Sequence, residues 1–293
     1  VDLTARHTHG PGAGRGPLLR RRVVTGLVVA PRRPLDDVGR AGDSPPDAGT
    51  DLTARVPGEL VARELARHHD ASPQVGDRVV VRAPLAAALR RWYLATAAHE
   101  RVGAALTGLD AHHHVLHAVP VDGAFGVDHL VVGPGGVVVV RTAHHRGERV
   151  KVQARQVRAD GRPVGHVREV ERQVRQVAAQ LSAASGYDVA VRGLVVLVGA
   201  RSVRTADVPR SVTVLTDDEL VGWLARRPRV VSQVLVDRLA RTAADPLTWG
   251  AQTGPDDVRR RRHGQACTEA VRVALGRWPS VRVGTSGTGG KRG

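Results

Sequence analysis

Several residues are scarce in this sequence, and each scarcity excludes something. One cysteine, Cys267, rules out an internal disulfide framework and suits a reducing compartment. Methionine is missing altogether, which is expected of a non-AUG start or a truncated sequence and removes no chemistry. No apolar span nears the ~20 residues a membrane helix needs. No charged start leads into an apolar segment with a cleavage site. A soluble, cytoplasmic protein is the expectation. Lysine is nearly absent as well, with only Lys151 and Lys291, so the excess of 44 Lys+Arg over 28 Asp+Glu is an arginine excess.

The formal charge of +16 draws phosphate backbones at any sequence, which makes nucleic acid the natural partner class. Base-composition bias in a GC-rich genome is the plainer source of the same arginine, alanine, valine and glycine excess. The 293 residues suffice for one good core with extensions. Glycine and proline interrupt any period early on, so residues 1–83 read as a poorly ordered, flexible N-terminal leader with one short helix over 59–69. Residues 2–6, DLTAR, recur at 51–55, too briefly for a repeat architecture. Residues 84–228 read as the folded domain, and 229–293 as a helix followed by a basic Gly/Arg-rich tail containing a short helix over 266–275.

The chain is organised around residues 127–147, VDHLVVGPGGVVVVRTAHHRG. β-branched runs on either side of Gly133, Pro134, Gly135 and Gly136 predict a hairpin. Four consecutive valines, 137–140, do not alternate with polar residues, so that strand should be covered on both faces. Before it, helical spacing of Leu85, Leu89, Trp92, Ala95, His99 and Val102 predicts a helix over 84–109, and a strand follows over 115–121. After it, Asp160-Gly161 predicts a tight turn. Val167, Val170, Val174, Val177 and Leu181 mark an amphipathic helix that Gly186 caps. Residues 194–198 and 211–215 read as strands, and Thr216 with Glu219 as a capping box opening a helix through Ala225.

On these residues the chain resembles the nuclease-related (NERD) domain family, placed with restriction-endonuclease-like nucleases. Asp128, His129, Leu130, Gly133, Pro134, Gly136, Val137, Arg146 and Gly147 stand in register with its motif. The resemblance runs over roughly 130 residues, from the helix before the hairpin to the helix after Thr216. It implies an α/β fold, a restriction-endonuclease-like mixed sheet with flanking helices, with a flexible N-terminal segment and a helical basic C-terminal tail added here. It also implies a site built from Glu100, Asp128, a carboxylate and a lysine. This chain departs at the last two, having Arg141 for the carboxylate and Ala143 for the lysine. His99 replaces a glycine that precedes the glutamate.

Metal-assisted phosphodiester cleavage needs hard oxygen ligands for Mg²⁺ and a nearby positive charge. Glu100 and Asp128 remain as metal ligands if the site is active. Arg141 is permanently charged and would repel a divalent ion with twice the unit-charge energy. It is expected instead to pair with Asp128 or Glu100. The expectation is therefore a degenerate nuclease site, no cofactor, and a non-catalytic nucleic-acid-binding or accessory role. The enzyme alternative is an Mg²⁺-dependent nuclease with Lys151 as a relocated lysine and Glu148 as a substitute ligand. A third reading is a structural interaction module without nucleic acid. Without the resemblance, Glu100 is an ordinary exposed helix residue. The histidines at 112–114, 117 and 144–145 read as loop and strand-end residues rather than a metal set, because successive strand side chains alternate faces. Arg259, Arg260, Arg261 and Arg262 form a basic run, a solvated tail or a nucleic-acid contact.

Overall fold

The computed structural model describes residues 51–70, 74–75, 78–79, 83–121, 126–153, 156–206, 212–251 and 255–276. A 3-10 turn at Leu52–Ala54 leads into α1 (Glu59–Asp70), and the small antiparallel pair β1 (Gln74–Val75) and β2 (Arg78–Val79) precedes α2 (Ala83–Leu106). Next come β3 (His114–Val119), β4 (Val127–Gly133), β5 (Gly136–His144), β6 (Arg149–Gln153), β7 (Gln156–Ala159), β8 (Arg162–Val164) and α3 (His166–Ser185). The chain continues through β9 (Val191–Val198), β10 (Ser202–Thr205), β11 (Val212–Thr216), α4 (Leu220–Ala225), α5 (Gln233–Ala244), a 3-10 turn at Pro246–Trp249, and α6 (Pro255–Gly276).

The expected hairpin is there. β4 and β5 pair antiparallel from His129 and Val140 up to Gly133 and Gly136, leaving Pro134 and Gly135 as the turn. Gly136 takes φ 97°, a backbone region that a β-branched residue would resist. The five-stranded sheet runs β11-β9-β5-β4-β3, with β5, β9 and β11 parallel and β3, β4 and β5 antiparallel. The four valines at 137–140 are each 1 % exposed or less, as the unbroken apolar run predicts. On one face Val138, Val140, Leu194 and Val196 meet Ala98, Val102 and Leu106 of α2 and Leu220 and Leu224 of α4. On the other, Val137, Val139, Val195 and Leu197 meet Val170, Val177 and Leu181 of α3 and Val236 and Leu239 of α5. The architecture is mixed α/β with flanking helices, as expected.

Local signals also hold. Gly186 caps α3 in the left-handed region at φ 75°. Asp160 and Gly161 turn β7 into β8 with φ 46° and 79°, both positive as a type I′ turn requires. The expected capping box forms only in part: Thr216 donates its N–H and its hydroxyl to Glu219 Oε2, at 2.9 and 2.7 Å, but the N-cap of α4 is Glu219 and no side chain caps the helix.

Four features differ from the sequence reading. The residues ahead of the Asp160-Gly161 turn form two strands, β6 and β7, and with β8 and β10 they make a second sheet, β10-β6-β7-β8. The parallel pairing of β10 with β6 is long-range, which no local pattern reveals. Within the leader expected to lack order, residues 51–70 are built into the fold: Leu52 and Leu65 are fully buried, and α1 packs on α2 and α6. The leader's residues 1–50 lie outside the described residues. Finally, α6 begins at Pro255 and carries the whole arginine run, starting well before the expected helix at 266–275. Packing also continues past residue 228, because Val236, Leu239, Ala240 and Ala243 of α5 face the main core.

Candidate functional site

Asp128 and Arg141 stand one step beyond the last paired residues of the central hairpin, His129 and Val140. The Thr142 N–H donates to Asp128 Oδ2 at 2.7 Å, which fixes the carboxylate against the end of β5. Arg141 Nη1 lies 4.0 Å from Asp128 Oδ1 and 3.0 Å from Glu169 Oε1 in the first turn of α3. The Arg141 side chain is only 20 % exposed and its Nε has no hydrogen-bond partner. One guanidinium thus bridges two carboxylates at the end of the central hairpin. This donor set does not fit Mg²⁺, because a fixed cation occupies the gap between the oxygens that would have to coordinate it.

Behind Asp128 lies a layer of histidines. His99 of α2 is buried with Nε2 3.9 Å from Asp128 Oδ2. His129 is fully buried, its Nδ1 2.8 Å from His117 Nδ1 and its Nε2 3.2 Å from Thr142 Oγ1. Burial pushes all three imidazoles down. For His99 the neighbouring Asp128 opposes the shift and Arg141 adds to it. His117 is pushed down to about 4, and His129 lies well below its usual value. Neutral rings explain the short nitrogen–nitrogen contact, since one Nδ1 must donate and the other accept.

A second polar chain leaves the end of β5. His145 Nδ1 donates to Glu148 Oε2 at 2.6 Å, and His145 Nε2 lies 2.8 Å from His166 Nε2. Burial drives His166 down to about 3, with His145 and Arg141 adding to the effect. The connection is strapped by backbone bonds from the His145 N–H to the Val198 carbonyl and from the Gly147 N–H to the Gly199 carbonyl, both 2.9 Å. Gly147 needs φ 79° there, which accounts for the Arg146-Gly147 pair in the motif. Glu148 also accepts from Arg162 Nη2 at 3.1 Å.

The sequence-derived site is only partly assembled. Asp128 and Arg141 meet, as expected, but the main partner of Arg141 is Glu169, which the sequence reading did not single out. Glu100 does not join them. It is exposed, and its charged neighbours are Arg272 and Glu269 of α6, whereas His99, one helical step away, points to Asp128. Consecutive helix residues differ by ~100° in direction, so the glutamate and the histidine cannot share a face. Ala143 is buried in the apolar cluster with Val150 and Leu197. Lys151 sits on β6, in the other sheet, paired across to Arg158 and Arg204. There it lines an open cleft of about 810 Å³ with Arg149, Arg158, Arg204, Ser202 and Asp160. Glu148 is engaged by His145 and Arg162 rather than offered as a ligand. Within the basic run on α6, Arg259, Arg260 and Arg262 are exposed. Arg261 instead turns inward, its Nε 2.9 Å from Oε2 of the buried Glu59. The signal for Glu169 was its place in the first turn of a helix packed over the hairpin, visible only once α3 is set against β5.

These geometries accompany a family match. Residues 95–198 match the model of the nuclease-related domain, NERD, so the chain carries a nuclease-related domain spanning the second half of α2 through β9. No curated protein and no solved structure matches the chain. Among the described residues no helix is long and apolar enough to cross a membrane.

Proposed function

We propose that this protein uses a nuclease-related domain to bind nucleic acid without cutting it. The observation that carries the reading is the ion pair of Arg141 with Glu169 and Asp128. A guanidinium keeps its charge at any physiological pH, so it supplies to the carboxylates what a metal would, and it cannot activate water. The fold survives and the chemistry does not. Binding falls to the arginines. Arg149, Lys151, Arg158 and Arg204 line one cleft on the exposed face of the second sheet, matching the spaced phosphates of a backbone rather than a single anion. The exposed arginines of α6 add a second basic face.

The test is a cleavage assay beside a binding assay. Labelled duplex and single-stranded DNA and RNA should remain intact with Mg²⁺ or Mn²⁺. Binding should weaken steeply from low to high salt. Replacing Arg149, Lys151, Arg158 and Arg204 together by alanine should lower the log–log salt slope by about 3–4, because each phosphate contact contributes about 0.9. Converting Arg141→Glu with Ala143→Lys should restore divalent-ion binding. Mg²⁺-dependent cleavage by the parent chain, lost in Lys151→Ala, would establish the nuclease reading instead. Binding that is absent at low salt would leave an interaction module whose charge reflects base composition.

A further inference from the structure

α1 and α6 pack against each other more closely than ordinary side chains allow. A Cβ placed on Gly264 would sit 3.1 Å from the Ala62 carbonyl carbon and 3.2 Å from the Arg63 nitrogen. The apolar seam that holds them is small: Leu65, Ala66, Cys267 and Val271, with Trp92 and Tyr93 of α2 beside it. At one end of this seam four metal-ligating side chains converge. His69 and Asp70 end α1, and His263 and Cys267 lie four residues apart on α6, hence on one face. Ligand atoms of His69, Asp70 and Cys267 all lie within 4.8 Å of one another. Cys267 Sγ is 3.8 Å from His69 Nδ1 and 3.7 Å from His263 Nε2. His69 Nδ1 is 3.4 Å from Asp70 Oδ1, and His263 Nε2 is 2.8 Å from Asp70 Oδ2.

From this cluster we infer a zinc-type metal site that clamps the end of α1 to α6, with His69, Asp70 and Cys267 as three ligands and His263 as the fourth. Four of the six ligand–ligand separations can be set against the edges of a tetrahedron, and His263 enters through its contacts with Cys267 and Asp70. Zn–S bonds of about 2.3 Å and Zn–N bonds of about 2.0–2.1 Å put ligand sulfur and nitrogen ~3.6 Å apart, and nitrogen and oxygen ~3.3 Å apart. Three of these four separations lie within about 0.2 Å of those edges. The exception is His263 to Asp70, a hydrogen bond that metal binding replaces by moving the exposed carboxylate outward. One thiol, two imidazoles and one carboxylate form a borderline-soft set that selects Zn²⁺ over Mg²⁺ or Ca²⁺. Cys267 is buried while the side chains of His263 and Asp70 are about half exposed, so an ion can enter from solvent. The site is separate from the Asp128 pocket and independent of any nucleic-acid role. Its effect is mechanical, since it ties a helix before the nuclease-related domain to one after it, where few apolar contacts do so.

The full chain, freed of metal, should bind one Zn²⁺ in calorimetry and melt at higher temperature with Zn²⁺ than without. Bound Co²⁺ should give the visible bands of a tetrahedral site and a sulfur-to-cobalt charge-transfer band. Cys267→Ser should abolish that band, and Cys267→Ser and His69→Ala should each weaken Zn²⁺ binding more than tenfold, by about the factor a lost metal contact brings. His69 is partly exposed, so its variant folds even if the buried serine unsettles the seam. Zn²⁺ binding of unchanged strength in His69→Ala, or Co²⁺ bound without a sulfur band, would assign the metal to other histidines of the fourteen and overturn the proposal.

Discussion

The two sheets of this protein use the same residues, valine and arginine, in opposite ways. In the five-stranded sheet valines run unbroken along β5 and face helices on both sides, and the one arginine near its end, Arg141, is locked between carboxylates. In the four-stranded sheet the strands alternate. Val150 and Val152 of β6 are buried, while Arg149 and Lys151 point out into a cleft shared with Arg158 and Arg204. The first sheet spends its polar groups on one another, and the second leaves them at an open cleft. Stability falls to the first sheet and the proposed binding to the second, a division that substitutions can break or sharpen.

The largest effect should come from the central sheet. Leu194 on β9 is fully buried among the strands and α2. Leu194→Ala should cost about 2–5 kcal/mol, from lost transfer energy and the cavity left behind. Lys151→Ala in the second sheet should change stability by less than about 0.5 kcal/mol. Urea unfolding of both variants gives the comparison directly. Similar losses would mean that the second sheet is part of the structural core and not a surface mounted on it.

A smaller effect should separate the two uses of arginine. Arg141→Glu puts a third carboxylate beside Asp128 and Glu169, and the mutual repulsion should lower stability by about 2–3 kcal/mol in chelator. Mg²⁺ should then recover part of the loss by binding the folded state, while leaving the melting temperature of the parent unmoved. Thermal melts with and without Mg²⁺ measure both. A parent protein stabilised by millimolar Mg²⁺ would show that Arg141 leaves room for an ion.

The sequence carried the first sheet well and the second poorly, for a physical reason. Unbroken valines, the Pro134-Gly135 turn and the α3 stripe are local patterns, and each became the element expected. The pairing of β10 with β6 joins residues about fifty positions apart, and nothing local encodes it. The site followed the same rule. Asp128 and Arg141 were legible because one hairpin holds both. Glu100 was misassigned because a helix turns ~100° per residue, so that His99 took the inward direction and left the glutamate to α6. Glu169 and the His69, Asp70, His263 and Cys267 cluster depend on how helices dock, which a single sequence does not state.

The smallest effect tests the buried polar layer of the first sheet through pH. Burial holds His117 down to about 4, against an ordinary value near 6.5. Between those values the unfolded chain takes up a proton that the folded chain refuses, so its stability rises with pH across this window. Read downward, stability is complete near pH 7, falls as pH drops through 6.5, and stops falling on this account below about 4. His99, His129, His144 and His166 are shifted in the same direction and steepen the fall. His117→Gln keeps a polar group that can reach His129 Nδ1 but cannot titrate. It should flatten the decline between pH 6.5 and 4 by about 1–2 kcal/mol, discounted because the ring is partly exposed. The cleft of the second sheet has no histidine among its lining residues, so the Lys151→Ala variant should follow the parent curve. Denaturant midpoints measured at half-unit pH steps decide the matter. A parent protein whose stability is flat from pH 7 to 4.5 would mean that water reaches the His117–His129 pair and that the sheet end is not sealed.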